Sequence, residues 1–316
     1  MARLRWCGVI NVSEAEFENK ELFKSGHTAC AGCAAATAFR HVMKALGKDT
    51  IIVNATGCSE IFTSVYDSSA WAVPYIHCVF ENAAPVAAGV VESLRAQGND
   101  HTKVAVIAGD GATYDIGFGH MSGMMERGHD VLYICYDNEA YMNTGVQRSG
   151  ATPWKAKTTT SQVGSEIRGK MQFKKPLTEI VAAHNIPYVA TSTSAHYADL
   201  MQKVQKAKEI PGPTFVNILA TCVPGWGTNP ALSMQYLKDA VDTHVWPIME
   251  IENGFMKLNL KPEKKLVETY LKGQKRFKHL TPEAIAEIQD LIDERWDHWV
   301  WREKVDQERV AELNGK

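Results

Sequence analysis

The sequence predicts an α/β protein built on a parallel sheet and ending in an extended and helical C-terminal arm. Three observations predict it. In residues 103–145, a short apolar run (104–108, VAVIA) stops at Gly109-Asp110-Gly111. Ile116, Met121, Met124 and Met125 then recur at helical spacing up to Gly128, and a second apolar run (131–136, VLYICY) stops at Asp137-Asn138. Strand, turn, helix and strand in that order make a parallel βαβ unit. The alternation recurs on both sides. An Ala-rich helix to about residue 46 precedes a strand at 51–53, and 177–184, 187–191, 196–210 and 214–220 read as helix, strand, helix, strand. Past Trp226 it stops: 234–243 is helical, 245–258 is extended around a turn at Asn253-Gly254, and 282–313 is a charged amphipathic helix carrying Trp296, Trp299 and Trp301. These shifts divide the chain into an α/β domain, 1–230, and an extension, 231–316, read as an arm that packs on a partner.

Composition narrows the function. With 45% hydrophobic and 22% charged residues and a net charge of −2, the chain is an ordinary globular one, which argues against nucleic-acid or membrane-surface roles. It has no apolar run of about 18 residues, and its start, MARLRWCGVINVSEAEFENK, has no secretory h-region. A cytoplasmic location is expected. There the seven cysteines would meet reducing conditions, which favour metal or redox chemistry over disulfides.

The polar clusters follow strand ends, where open α/β sheets place their ligands. Asp110 offers one hard oxygen, Asn138 a side-chain carbonyl, and the loop after it backbone carbonyls, the kind of set magnesium takes alongside substrate phosphates. Gly109 and Gly111 let the backbone approach a phosphate closely, and the following helix offers free N–H groups at its positive end. Read alone, Gly-Asp-Gly is also an ordinary tight turn. The long loop 138–175 is of the kind that is usually functional, with residues 158–161 as a rim or partner contact.

The cysteines sort by context. Cys30 and Cys33 form a CxxC pair, Cys58 follows the strand 51–53, and Cys222 follows the strand 214–220. Cys78 and Cys135 lie inside apolar strands read as buried and act as small hydrophobes, and Cys7 has no partner pattern. Four thiolates suit tetrahedral zinc or a [4Fe–4S] cluster. One pair joined by two distant single residues tilts the choice toward the cluster.

Asp110 and Asn138, 28 positions apart after Gly109, resemble the GDG…Asn pattern of thiamine diphosphate enzymes. The ordered set HTACAGCAAATAF, NATGCSEIF, FENAAPVAAGV, GDGATYDIGF, YDNEAYMNTGVQRSGATP and LATCVPGW is more specific. Over residues 25–230 it closely resembles the thiamine-binding β subunit of pyruvate:ferredoxin oxidoreductase and related 2-oxoacid oxidoreductases. The resemblance implies a parallel-sheet thiamine diphosphate-binding fold. It implies that Cys30, Cys33, Cys58 and Cys222 hold a [4Fe–4S] cluster near the cofactor, and that Asp110, Asn138 and the Ala140 carbonyl hold Mg2+. Gly57, Cys58, Gly109, Asp110, Gly111, Ala112, Asn138, Asn143 and Thr144 would contact thiamine diphosphate, with Asn143 the catalytic candidate near the reacting carbon. Some relatives carry a glutamate where this chain has Ala35, so a cofactor contact made by such a glutamate is absent or replaced.

The function so implied is oxidative decarboxylation of a 2-oxoacid, pyruvate first, with oxalate or 2-oxoglutarate as alternatives. Electrons would pass through the cluster to ferredoxin, and coenzyme A would take the acyl group. The expected partners are an alpha/gamma-type subunit carrying the pyrimidine domain and the activating glutamate, and a ferredoxin-like subunit or domain. Glu60, Glu81 and Glu139 all lie in or beside the phosphate-domain motifs, so that glutamate is expected on another chain. Two rival readings are a non-oxidative thiamine lyase with structural zinc and a non-catalytic iron–sulfur scaffold.

Overall fold

The computed structural model describes residues 20–314; Cys7 and the opening segment lie outside the described residues. Strands β1 (Thr50–Ala55), β2 (Tyr75–Cys78), β3 (Lys103–Gly109), β4 (Val131–Asp137), β5 (Tyr188–Thr193), β6 (Thr214–Leu219), β7 (Met249–Glu252) and β8 (Phe255–Leu258) form one eight-stranded sheet in the order β2-β1-β3-β4-β6-β5-β7-β8. All pairings among the first six strands are parallel, and β7 and β8 join antiparallel through β5. The reason lies in composition. Runs such as VAVIA have no polar face, so they are stable only where helices cover both sides.

The helices supply that cover. They are α1 (Ala34–Leu46), α2 (Cys58–Thr63), α3 (Ala83–Ala96), α4 (Phe118–Glu126), α5 (Leu177–Ala182), α6 (Tyr197–Glu209), α7 (Val223–Trp226), α8 (Ser233–Asp242), α9 (Glu268–Leu271) and α10 (Pro282–Asn314). One core face packs Phe39, Met43 and Leu46 of α1 and Leu200 and Val204 of α6 against Ile52, Ile107 and Ile134. The other packs Ala87 and Val91 of α3 and Met121, Met124 and Met125 of α4 against Val104, Val106 and Val131. No helix among the described residues is long and apolar enough to cross a membrane.

Three features differ from the sequence reading. The strand holding Cys78 is not buried: β2 is an edge strand, with His77 exposed and Tyr75 and Ile76 half-buried. The helix expected from Ile116 is preceded by a π-helical turn, Gly111–Ile116, closed by the Gly117 amide donating to Ala112 O at 2.8 Å. Such wide turns gather at functional sites. Finally, α10 folds back along the edge of the sheet. Asp306 Oδ2 accepts from the Met256 amide and Glu303 Oε1 from the Leu258 amide, each at 2.9 Å, so two carboxylates satisfy donors of the exposed strand β8.

The tryptophans of α10 are largely used inside the chain. Trp299 is buried and its indole donates to Glu179 Oε1 at 3.3 Å, and Trp296 stacks on His244 with centroids 3.6 Å apart. Trp301 alone of the three is well exposed, at 60%. Because Trp299 seals the second core face, Trp299→Ala should lower unfolding free energy by about 3–5 kcal/mol. Chemical denaturation would measure it, and a loss under about 1 kcal/mol would mean that the helix contributes little to this core.

Candidate active site

β1, β3 and β4 are neighbours and parallel, so the loops leaving their carboxyl ends open into one cleft. Gly57, Cys58, Gly109, Asp110, Gly111, Asn138, Ala140, Asn143 and Thr144 all line it. Of the residues expected to contact a cofactor, Ala112 alone is set back: it is buried, and its carbonyl closes the π-helical turn. Thr56, Phe80, Tyr136, Tyr141 and Met142 complete the walls. The two tyrosines carried no signal in the sequence. Tyr136 sits inside a strand, yet its hydroxyl reaches out to accept from the Ser59 amide at 3.2 Å.

The tyrosines explain the glycines. A Cβ at Gly109 or Gly57 would lie 3.1 Å from the Tyr136 hydroxyl, and one at Gly111 would run into the Tyr141 ring. Tyr141 in turn donates to Gly111 O at 3.2 Å. Close packing therefore favours glycine on both sides of Asp110, most strongly at position 111.

On the cleft floor three oxygens converge. The Asn138 amide oxygen lies 2.8 Å from Asp110 Oδ1 and 2.9 Å from Ala140 O, with no donor between them. Turned over, the amide would donate to both. Adjacent corners of a magnesium octahedron lie about 2.8–3.0 Å apart, given Mg–O distances of 2.0–2.1 Å. With the amide oxygen inward the spacing fits a shared cation; with the nitrogen inward the amide itself satisfies both acceptors. The other Asp110 oxygen accepts from Ser149 Oγ at 2.5 Å, a partner the sequence did not announce. Burial, reinforced by the nearby Asp137 carboxylate, pushes the Asp110 carboxyl well above the usual range.

Behind this floor the loop is clamped by charge. Glu139 adopts φ 71°, the left-handed region, where a residue with a side chain is uncommon. Its amide donates to Asp137 Oδ1 at 3.0 Å, and its carbonyl accepts from Thr152 Oγ1 at 2.7 Å. Lys174 Nζ bridges Asp137 (2.7 Å) and Glu139 (2.9 Å), and Arg276 pairs with Glu139 at 2.6 Å. Burial pushes the Glu139 carboxyl up, but Lys174 and Arg276 outweigh it and hold it below its ordinary value. Burial also raises Asp137, against the pull of Lys174. Glu139 and Lys174 face a separate, largely apolar cavity of about 510 Å³ walled by Trp154, Trp246 and Trp299.

The four candidate ligand cysteines gather beside the cleft. The Cys33 amide donates to Cys30 O at 3.0 Å, and the Ala34 amide to Thr221 O at 3.4 Å, which joins the CxxC turn to the end of β6. Cys58 opens α2, and Cys222 caps α7. Burial pushes Cys58 and Cys222 up to about 12, and the charges of neighbouring thiols in the set add to this in both. Backbone N–H groups of Ala35 and Ala36 favour the thiolate of Cys33, and that of Gly225 the thiolate of Cys222. Cys30 is exposed. Among the described residues, no three His, Cys, Asp or Glu side chains are grouped tightly enough to hold a single metal ion. Cys135 is buried, and Cys78 donates to Asn54 O at 3.3 Å, so neither joins the group.

Comparison with known proteins identifies the family. Residues 55–218 match the family described as thiamine pyrophosphate enzyme, C-terminal TPP binding domain. The chain is 51% identical over 288 residues to pyruvate synthase subunit PorB of Methanocaldococcus jannaschii, covering 89% of this chain and 97% of that one. It is 43% identical to the Thermotoga maritima PorB (93% and 96% covered) and 42% identical to ketoisovalerate oxidoreductase subunit VorB of Pyrococcus abyssi (88% and 92%). Among solved structures, 2-oxoglutarate:ferredoxin oxidoreductase from Magnetococcus marinus shares the fold. Its TM-score is 0.55 at 22% identity, over 71% of this chain and 82% of that one.

Crowding at Gly111 gives a direct test of the cleft packing. Gly111→Ala should destabilise the protein by about 1–3 kcal/mol, as overpacking does. Adding Tyr141→Ala should remove most of that penalty in a double-mutant cycle. If the two effects simply add, the tyrosine is not what excludes a side chain at this position.

Proposed function

Because the chain belongs to the family of thiamine diphosphate-binding β subunits of 2-oxoacid:ferredoxin oxidoreductases, we propose that it forms the diphosphate-binding wall of an enzyme that oxidatively decarboxylates pyruvate and passes the electrons through a [4Fe–4S] cluster to ferredoxin. The observation that carries this reading is the convergence of the Asp110, Asn138 and Ala140 oxygens in the cleft that Cys58 also lines. When bound, thiamine diphosphate supplies the electron sink that lets a 2-oxoacid lose CO2.

The chain's own residues do the rest. Asp110, Asn138 and the Ala140 carbonyl would hold Mg2+, and Gly109 and Gly111, which line the cleft, would present their backbone to the diphosphate. Asn143 and Thr144, with Met142, line the cleft and would wall its end nearest the reacting carbon. Cys30, Cys33, Cys58 and Cys222 would ligate the cluster. Tetrahedral zinc needs thiolates roughly 3.8 Å apart, given Zn–S distances near 2.3 Å. One CxxC pair joined by two cysteines distant in sequence supports a four-iron centre over structural zinc, whose ligands usually come as two nearby pairs. Exposed Cys30 would face the acceptor.

None of Glu60, Glu81 and Glu139 lines the cleft, and Glu139 is occupied by Lys174 and Arg276. This supports an activating glutamate on the pyrimidine domain of an alpha/gamma-type partner subunit, which would also close the cleft against water. We place the C-terminal extension, 231–316, at the contact with such partners through its exposed face. Pyruvate is favoured because relatives named pyruvate synthase reach 51% identity against 42% for the ketoisovalerate enzyme. Coenzyme A is the proposed acyl acceptor.

Two experiments test the reading. Burial holds the proton on Asp110 above the usual carboxylate range, and Mg2+ must displace that proton. In the assembled complex, Mg2+ affinity should therefore fall as pH drops through the raised range, by roughly tenfold per unit. Asp110→Asn should lose both the affinity and its pH dependence. A pH-independent affinity in the unaltered protein, measured by calorimetry, would remove Asp110 as a ligand.

The second concerns iron. Cys222→Ser should lower iron content and viologen reduction, whereas Cys135→Ser and Cys78→Ser should leave four irons in place. Full iron in a Cys30→Ala, Cys33→Ala double variant would sink the cluster assignment.

A further inference from the structure

Arg276 lies in the 3-10 turn Lys275–Phe277, almost fifty residues beyond the last of the sequence motifs. It is 5% exposed, and its contacts lead to the candidate site. Its Nη2 donates to Glu139 Oε2 at 2.6 Å and to Tyr270 Oη at 3.1 Å, and its Nε donates to Gln274 Oε1 at 2.9 Å. The guanidinium plane lies over the Trp226 ring, its central carbon 3.9 Å from the centroid. Trp226 is fully buried. Its indole N–H donates to Asn138 O at 2.8 Å, and its backbone N–H donates to Cys222 O at 2.8 Å.

One buried cation thus reaches two sites through one residue each. Through Glu139 it holds the loop that presents Asn138 and Ala140. Through Trp226 it holds the turn that carries Cys222. Glu139 needs such restraint, because a left-handed backbone at a residue with a side chain persists only where the surroundings over-determine it. A buried ion pair is also a poor choice for stability alone, since apolar residues of similar volume often serve as well or better. A guanidinium, unlike an apolar side chain, can bond in its plane to one element while stacking on another.

We propose that Arg276, acting with Trp226, is a positioning residue that locks the Asn138–Ala140 loop and the Cys222 turn into one rigid unit. The consequence is that the C-terminal segment, remote in sequence, sets the distance and orientation between the cation site and the thiol site. This proposal rests on the reading of those two sites given above.

The test uses the assembled, iron-loaded complex with three variants: Arg276→Met, Trp226→Phe and Asp110→Ala. The readouts are the Mg2+ concentration needed for half-maximal thiamine diphosphate binding, the thermal midpoint, the iron content and the EPR line shape of the reduced complex. Arg276→Met and Trp226→Phe should each raise the Mg2+ requirement roughly 10- to 100-fold, as loss of partners behind a metal ligand does. Both should retain iron with an altered line shape. Trp226→Phe keeps an aromatic ring under the guanidinium but removes the indole N–H and leaves a small cavity at a buried site; because the Mg2+ requirement and line shape are read beside the thermal midpoint, it decides the matter if Arg276→Met fails to fold. A lowered thermal midpoint with an unchanged Mg2+ requirement and line shape would make Arg276 a fold staple and overturn the proposal. Asp110→Ala separates the two failures. If it too leaves the Mg2+ requirement unchanged, the cation reading falls and the proposal with it; if it alone raises the requirement, only the positioning role is wrong.

Discussion

Parallel pairing of β1, β3, β4 and β6 is the constraint on which the rest of the molecule depends. These four strands are consecutive neighbours in the sheet, with Asn54 paired to Ile107, Gly109 to Tyr136 and Asp137 to Leu219. In-register parallel strands end at one level, so the segments that follow them emerge together. The first leads to Gly57 and Cys58, the second to Asp110, the third to Asn138 and the fourth to Cys222. Residues scattered over 165 positions, from 58 to 222, become one neighbourhood because the strands before them cannot bury their side chains in any other way.

Charge is the second organising force. Asp137 and Glu139 are buried against two cations, Lys174 and Arg276, and that set is balanced. Asp110 sits in front of it with a hydroxyl partner, Ser149, and, among the described residues, no lysine or arginine bonded to it. A buried carboxyl without a cation keeps its proton or acquires a counter-ion. It faces the Asn138 side-chain amide and the Ala140 carbonyl across the cleft floor. The same loop therefore has a neutralised back, which fixes its shape, and an unneutralised front, which can bind. Trp226 joins the two aspects, stacking on Arg276 while donating to the Asn138 carbonyl.

The C-terminal stretch shows how far edge chemistry shapes a fold. The β7–β8 hairpin turns at Asn253 and Gly254, both with positive φ, as the Asn-Gly pair suggests. Adding it to β5 creates a new free edge. Helix α10 answers this with Glu303 and Asp306, whose carboxylates accept hydrogen bonds from the edge amides of Met256 and Leu258 in β8. Nothing in the period of that helix separates these two acids from its many solvated ones. Their role exists only because a strand lies beside them.

Much of the fold was legible from periodicity, because an apolar run of five or six residues between turn residues has few alternatives to a buried strand. The strands β1, β3, β4, β5 and β6 and the helices between them follow their apolar patterns closely. That Asp110, Asn138, Cys58 and Cys222 follow strand ends was legible because the strands before them are short apolar runs closed by turn residues. The sequence could not show that β2 is an edge strand, since burial depends on what lies beyond it. Nor could it mark Tyr136, Tyr141, Ser149, Lys174 or Arg276, whose residue types are common and whose spacing is irregular. Their significance comes from contacts across 30 to 137 positions, such as Tyr141 to Gly111 and Arg276 to Glu139. The sequence by itself determined the α/β class and the strand ends that bear Asp110, Asn138, Cys58 and Cys222, because these are local properties of short segments. The tertiary structure alone decided which oxygens share a cation-sized space and which buried charges hold them there, because both depend on distances between segments that no local pattern encodes.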